Sequence, residues 1–153
     1  MQEKLSFEYI RGLVDGEGCF SFHTVPVKDH LGNRIKMRIP AFMLGVSIQD
    51  INLVIAVKET LGLRNRIYEY SQERRRDGYN RQPIAMLVVR DLGQLKNIII
   101  PLFYKSLPGN KARQFDNWMF KMGNDPTVLE RYKILYTIYK SGFYDKYNRY
   151  TTD

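Results

Sequence analysis

The chain has 153 residues, of which 44% are hydrophobic, so we expect one domain over 1–153 with a core of ordinary size. Its net charge of +8 favours a polyanionic partner, most often nucleic acid. The single cysteine excludes an intramolecular disulfide. No apolar run reaches the roughly 18 residues of a membrane span, and the N-terminus lacks a secretory signal pattern. We therefore expect a soluble intracellular protein, of an organelle or a prokaryotic cytoplasm, with no membrane partner.

The first predicted helix, over residues 6–16, carries two glycines on one side. Gly12 and Gly16 lie four residues apart, and each costs helix stability of roughly 1 kcal/mol. That cost is explained if another backbone comes close to this side. The helix ends with Glu17, whose carboxylate is unfavourable in the dipole field of a helix C-terminus. A second helix would bring a second carboxylate, and a divalent cation with oxygen ligands would relieve the repulsion.

Two strands and a helix are predicted next. Alternating side chains over 19–27 indicate a strand, which a turn over 29–33 connects to a long second strand over 34–48. The apolar residues of the second strand change parity midway. We therefore expect a bulge near Pro40, which cannot donate to a strand ladder. A helix over 50–61 follows.

The second half of the chain repeats this plan without close self-similarity. The predicted elements are strands over 65–72 and 83–90 and helices over 92–104, 111–122 and, from 125 or 127, to about 139. An arginine-rich connection joins the two strands. The order α-β-β-α-β-β-α-α predicts an α+β fold.

Residues 10–18, with the sequence IRGLVDGEG, resemble the LAGLIDADG motif of the homing endonucleases. The match follows the form G-(hydrophobic)2-D-G-(D/E)-G. Glu17 replaces the last Asp of the motif and keeps the carboxylate, and Asp15 is interpreted as a turn or cap residue. Arg11 replaces a small residue and is expected to point outward. The resemblance implies the single-motif, homodimeric type, with an αββαββα fold, a four-stranded antiparallel DNA-binding saddle and C-terminal helices.

The resemblance also implies a metal-dependent active site at the end of the first helix. Glu17 would bind Mg²⁺ with help from the backbone carbonyl of Gly16, and Mn²⁺ or Ca²⁺ can occupy the same sites. Gln49 resembles the family's strand-end glutamine that orients water, at a spacing one residue shorter. Lys111 resembles the lysine that stabilises developing charge, with Arg113 as the alternative if the alignment shifts by a turn. No other small-molecule cofactor is expected.

The resemblance implies that the strands contact double-stranded DNA in its major groove. A strand pair suits this role because its alternate side chains all face the bases. The base-reading residues implied by the resemblance are Ser21, His23, Lys36, Arg38, Ser47, Arg66, Tyr68, Tyr70 and Gln72. The remaining basic residues expected to bind phosphates are Arg74, Arg75, Arg76 and Arg81. The sequence does not determine which of these side chains contacts a base and which a phosphate.

One motif supplies one carboxylate, so a two-sided active site needs two chains. We expect a homodimer on a nearly palindromic duplex. Its interface residues would be Phe7, Ile10, Gly12, Leu13 and Gly16. The implied reaction of this intron-encoded type is hydrolysis of one phosphodiester in each strand, leaving 3′ overhangs. The alternatives are an intron RNA maturase or a non-cleaving DNA-binding regulator on the same fold, and a basic αββ RNA-binding protein outside the family. The acidic residue at 17 favours the nuclease.

Overall fold

The computed structural model describes residues 4–71 and 82–151, and its framework is one four-stranded sheet. The strands are β1 (Gly18–Lys28), β2 (Arg34–Ser47), β3 (Ile67–Tyr70) and β4 (Ile84–Val89). They lie in the order β1-β2-β4-β3, and every neighbouring pair is antiparallel. The predicted mixed class with a four-stranded antiparallel sheet is confirmed.

Helices flank the strands in the predicted order. They are α1 (Phe7–Glu17), α2 (Ile51–Leu61), α3 (Leu92–Gln94), α4 (Ile100–Phe103), α5 (Lys111–Asn124), α6 (Lys133–Lys140) and α7 (Phe143–Lys146). A π-helical turn, Leu95–Ile99, makes α3 and α4 continuous, and the amide of Ile100 donates to the carbonyl of Leu95. Pro101 follows directly and cannot donate to an α-helical ladder, which explains the local shift. Within the described residues, no helix is both long and apolar enough to cross a membrane.

Aromatic rings form the core on the side of the sheet that the helices cover. Phe20 lies at its centre and is 5% exposed. Its ring centroid lies 5.1–5.5 Å from those of Phe42 on β2, Phe103 on α4, and Phe115 and Trp118 on α5. Such rings bury large areas and prefer these inclined contacts, so this cluster fixes the helices on the sheet.

The β1–β2 ladder runs without interruption from residue pair 18–44 to pair 28–34, so the predicted bulge near Pro40 is wrong. The backbone of Arg38 donates to the carbonyl of Thr127 and accepts from the amide of Leu129. The backbone N–H and C=O groups of Arg38, and of alternate residues along β2, therefore point away from β1. Pro40 is one of these alternate residues, and it lies beyond the last β2–β4 pair, 42–89. No described neighbouring strand therefore needs a hydrogen bond from the backbone N–H that proline lacks.

The segment 127–129 also changes the C-terminal helices. It runs beside Arg38 of β2, so the helix predicted to begin at 125 or 127 cannot start there. A 3₁₀ turn, Glu130–Tyr132, intervenes, and α6 begins at Lys133. The tertiary pairing with β2 thus determines where the helix begins.

Arg11 is buried, and the prediction that it points outward is wrong. Its Nε donates to the carbonyl of Leu102 at 2.9 Å, and its two terminal nitrogens donate to Glu8 at 2.6 Å and to the carbonyl of Tyr150 at 2.5 Å. Charge-assisted hydrogen bonds of this kind compensate for the loss of water around a guanidinium. Arg11 therefore ties α1 to α4 and to the C-terminal segment.

Candidate functional site

Helix α1 has one buried face and one open face. Ile10 and Val14 have no exposed surface and lie in the core. On the other side Tyr9 is 51% exposed, and Gly12 and Gly16 are also exposed. A Cβ built on either glycine meets no described atom within 4 Å. The small residues therefore leave room that the described part of this chain does not fill, and the shape suits the backbone of a second helix.

This geometry corrects part of the predicted dimer interface. Ile10 has no surface to offer a partner, so its assignment to the interface is wrong. Phe7 is partly buried on the same side, where its ring packs edge-on against Tyr150 at 4.8 Å. Gly12 and Gly16 lie on the open face, with the partly buried Leu13 at its margin. For these three residues the interface stays a prediction.

Glu17 ends α1 and is exposed. It borders a cleft of about 260 Å³ between the end of the helix and the ends of two strands. The other residues around this cleft are Gly45, Val46, Ser47, Gln82 and Ile84. The turn into β1 requires Gly18, because a Cβ there would lie 2.5 Å from Cγ1 of Val14. The chain thus brings the carboxylate to the ends of the two central strands, β2 and β4.

Lys111 reaches the same helix end from the N-terminus of α5. Its Nζ donates to the carbonyl of Gly18 at 2.7 Å, and Gly18 is the residue that follows Glu17. Asp15 packs against Gly109 in the preceding loop, where an added Cβ would lie 2.6 Å from Oδ2. Its buried Oδ1 has no hydrogen-bond partner among the described residues. The loop before α5 therefore fits closely over the motif.

Gln49 is less closely associated with this site. It lies in a 3₁₀ turn, Ile48–Asp50, and is exposed, while its backbone amide donates to Oγ of Ser47. Ser47 borders the Glu17 cleft, and Gln49 follows in the next turn. The predicted catalytic role of Gln49 stays a prediction.

The donors at the end of α1 fit a hard divalent cation. They are the exposed carboxylate of Glu17 and the carbonyl of Gly16 in the last turn, both oxygen ligands of the kind that Mg²⁺ prefers. In the described ranges, no three His, Cys, Asp or Glu side chains come together to hold a metal. One chain thus offers part of a coordination shell at this position.

The face of the sheet turned away from the helices, here called the outer face, follows from the strand register. Phe20, Phe42 and Leu87 point to the core, so their sequence neighbours point outward. The predicted base readers on the outer face are Ser21 and His23 on β1, Ser47 on β2, and Tyr68 and Tyr70 on β3. Their placement there agrees with the expected DNA-reading face, and their contacts with DNA stay predictions.

Lys36 and Arg38 lie on the opposite face, which contradicts their prediction as base readers. They share parity with Phe42 because the strand has no bulge. The guanidinium of Arg38 lies 4.6 Å from the ring centroid of Phe22 and pairs with Asp125 at 3.2 Å. It borders a polar groove of about 600 Å³ between β1 and α5.

The β3 strand adds a basic and aromatic margin to the outer face. The rings of Tyr68 and Tyr70 stack with centroids 6.1 Å apart, and the guanidinium of Arg66 lies 5.3 Å from the Tyr68 centroid. Glu69 points to the other side of the sheet. The predicted DNA contacts at Gln72, Arg74, Arg75, Arg76 and Arg81 lie outside the described residues.

Arg90 is a further basic residue of this region that the sequence argument missed. It follows β4 with the parity of Met86 and Val88, which lie on the outer face. Burial and then the Arg90 charge lower the pKa of His23 below its usual 6.5, which favours the neutral imidazole. Its Nε2 lies 3.3 Å from Sδ of Met43. The period-two alternation over 83–90 could have identified Arg90, because it gives Arg90 the same parity as Met86 and Val88.

Comparison with known proteins decides the family. The sequence profile described as "LAGLIDADG endonuclease" matches residues 10–121, which is most of the chain. The chain belongs to the LAGLIDADG endonuclease family. A search of curated protein sequences finds no match.

Solved structures of LAGLIDADG homing endonucleases share the fold. The homing endonuclease I-TnaI is 22% identical with a TM-score of 0.55, over 79% of this chain and 77% of that one. I-LtrWI bound to target DNA is 20% identical with a TM-score of 0.59, and I-SmaMI bound to cleaved DNA is 22% identical with a TM-score of 0.56. These two alignments cover 98% and 90% of this LAGLIDADG chain but only 46% and 43% of the DNA-bound chains.

Proposed function

We propose that this protein is a homing endonuclease that acts as a homodimer and cleaves both strands of a long, nearly palindromic DNA site. The observation that carries the proposal is the end of α1, where an exposed Glu17 follows an open glycine face and Lys111 donates to the carbonyl of the next residue, Gly18. A helix that only packed within its own chain would gain stability from larger residues at Gly12 and Gly16.

The dimer supplies what one chain lacks. Two copies of α1 packed through Gly12 and Gly16 would bring two Glu17 carboxylates to one place, and their repulsion favours shared cations. The chain spans less than half of I-LtrWI and I-SmaMI, which fits two copies doing the work of one longer chain. A two-fold dimer would then match a nearly palindromic target, with one half-site for each subunit.

The residues at the helix end have distinct proposed roles. Glu17 and the Gly16 carbonyl would hold Mg²⁺, with Mn²⁺ or Ca²⁺ accepted at the same sites. When bound, the metal would lower the pKa of a water and stabilise charge on the phosphate. Lys111 would add positive charge near the leaving oxygen, and Gln49 would orient water. Hydrolysis of one phosphodiester in each strand would leave 3′ overhangs.

The outer face would bind the duplex in its major groove. The net charge of +8 supports attraction to phosphates, and Ser21, His23, Tyr68 and Tyr70 can hydrogen-bond to base edges. Arg66 and Arg90 lie at the margins of this face, where backbone contacts are expected. Strand register would therefore set which bases are read.

The Glu17→Gln substitution tests the proposal, since it removes the charge and keeps the shape. We expect Mg²⁺-dependent cleavage to fall by about a hundredfold or more, while binding of the same duplex in Ca²⁺ is retained. Cleavage is measured on a plasmid carrying a site selected from a random duplex pool. Glu59→Gln is the matched control, because it removes the same charge from an exposed position on α2. Cleavage by Glu17→Gln at the unsubstituted rate would contradict the proposal.

A further inference from the structure

The outer face of the sheet is more apolar than a surface that reads bases only by hydrogen bonds. Its register places nine large apolar side chains there: Val25 and Val27 on β1, Ile35, Met37, Ile39 and Met43 on β2, and Ile84, Met86 and Val88 on β4. All except Ile39 and Val88 keep part of their surface exposed. The helices cover the other face, and of these nine side chains only Ile39 and Val25 belong to or pack against the buried core cluster.

The hydrogen-bonding side chains on this face are few and lie among the apolar ones. His23 is held against Met43, with 3.3 Å between Nε2 and Sδ. Met86 lies over Gly45, where an added Cβ would come within 2.8 Å of its Cε. Unbranched methionine side chains adapt their shape to an apolar partner. The centre of the face therefore offers contact area more than donors and acceptors.

The charges around the face indicate the kind of partner that covers it. No described strand residue on the outer face is acidic, and Glu69 points to the opposite side. Arg66 and Arg90 flank the face. A partner that matches both the apolar centre of this face and the arginines beside it is a polyanion that also presents apolar groups next to its hydrogen-bonding groups. Duplex DNA meets this description, since thymine presents a C5 methyl group in the major groove.

We infer that the sheet recognises its DNA site largely through thymine methyl groups, so that the preferred half-site is rich in A·T pairs under β1, β2 and β4. This inference rests on the proposed function, because it assumes that the outer face occupies the major groove. It goes further by naming the chemical group that is read. Met43 and Met86 would be specificity-determining residues.

Deoxyuridine tests the inference directly, because it pairs as thymidine does and lacks only the methyl group. The preferred duplex is first selected from a random pool with the full chain in Ca²⁺. Each thymidine is then replaced in turn, and the Kd is measured. We expect a loss of roughly fourfold for each contacted methyl, the equivalent of ~0.8 kcal/mol. Replacements outside the protected site serve as the control and should leave the Kd unchanged.

Variants then assign the effect to the sheet. Met43→Gln and Met86→Gln should abolish the deoxyuridine penalty at a few positions and leave it elsewhere. Phe120→Gln, at an exposed apolar position on α5, should leave every penalty in place. The first experiment uses the unsubstituted protein, so it stands even if a methionine variant fails to fold.

The outcomes separate this inference from the proposed function. If a preferred sequence emerges and binds equally well with deoxyuridine at every position, the methyl inference is overturned and the endonuclease proposal stands. If the pool yields no preferred sequence, the proposed function fails and the inference fails with it. A site in which several single replacements each weaken binding about fourfold supports the inference.

Discussion

The two faces of the sheet use the same strands for opposite purposes. On the helix side Phe20, Phe42 and Leu87 are at most 5% exposed. Phe20 packs against Phe103 of α4 and Phe115 of α5, and Phe42 packs against Phe103. On the outer face Tyr70 is 49% exposed and His23 is partly exposed. Alternate residues of one strand therefore carry stability and proposed recognition in turn.

The packing of the core thus determines which side chains form the outer face. A slip of the β1–β2 register by one residue would expose Phe20 and turn Ser21 and His23 inward. The aromatic contacts make such a slip costly, so they also fix which side chains face a partner. Helix α1 follows the same logic, with Ile10 and Val14 in the core and Gly12 and Gly16 on the open side.

The largest difference between the faces should appear in stability. Phe20→Ala removes the ring at the centre of the cluster and should lower the free energy of unfolding by about 3–5 kcal/mol. Tyr70→Ala, on the exposed face, should change it by less than about 1 kcal/mol while weakening DNA binding. Urea unfolding measures the first quantity, and titration with the selected duplex measures the second. Equal losses of stability in both variants would show that the faces are not divided in this way.

The open face of α1 should separate association from folding. Gly12→Leu should weaken dimerisation by at least tenfold, or about 1.4 kcal/mol, because the added side chain blocks close helix approach. It should leave the stability of the monomer equal or higher, since leucine favours helix by nearly 1 kcal/mol over glycine. Sedimentation equilibrium measures the association constant. Asn52→Leu, exposed on α2, adds the same side chain elsewhere and should leave association intact. A Gly12→Leu dimer of unchanged affinity would place the interface on another surface.

Two arginines sharpen the comparison further, because they lie on different faces. Arg38→Met should cost stability of about 1 kcal/mol or less through its partly exposed pair with Asp125. It should leave DNA affinity unchanged. Arg66→Met should leave stability unchanged and reduce the salt dependence of DNA binding by about one phosphate contact. Binding isotherms at several salt concentrations provide the slopes. A reduced slope for Arg38→Met would return that residue to the DNA-binding surface.

The sequence predicted those features that depend on local spacing. The alternation of β1 and the helical period of α1 placed Ser21, His23 and the glycine face correctly, because both periods are properties of a single element. The end of α2 at Gly62 was predicted as well, because glycine commonly ends helices. In the structure Gly62 adopts a left-handed conformation with φ of 70°.

Most of the errors involve contacts between distant parts of the chain. Pro40 needed no bulge because it lies beyond the last β2–β4 pair, and periodicity within β2 does not show where that pairing ends. The predicted base-reading roles of Lys36 and Arg38 were wrong because, without a bulge, both residues lie on the same face of β2 as Phe42. Arg11 is buried and donates to the carbonyl of Tyr150, which lies 139 residues away in the sequence. Arg90 is an exception, because its parity with Met86 and Val88 can be read from the strand pattern alone.

The smallest expected effect concerns His23 on the outer face, which lies near Met43 and Arg90. Burial first and the Arg90 charge second lower its pKa below 6.5, so the folded protein favours the neutral ring. The unfolded chain then binds the proton more readily. Stability from this source is complete above pH 6.5 and is lost as the pH falls below that value toward the folded pKa.

His23→Gln should therefore flatten the pH dependence of unfolding between pH 7 and 5, measured by urea titration at each pH. His30→Gln, on the exposed β1–β2 turn, is the control and should leave the profile unchanged. Arg90→Gln should remove only part of the dependence, because burial is the larger cause. If Arg90→Gln removed all of it, charge across the outer face would outweigh packing, and the electrostatic role of that face would be larger than its apolar composition indicates.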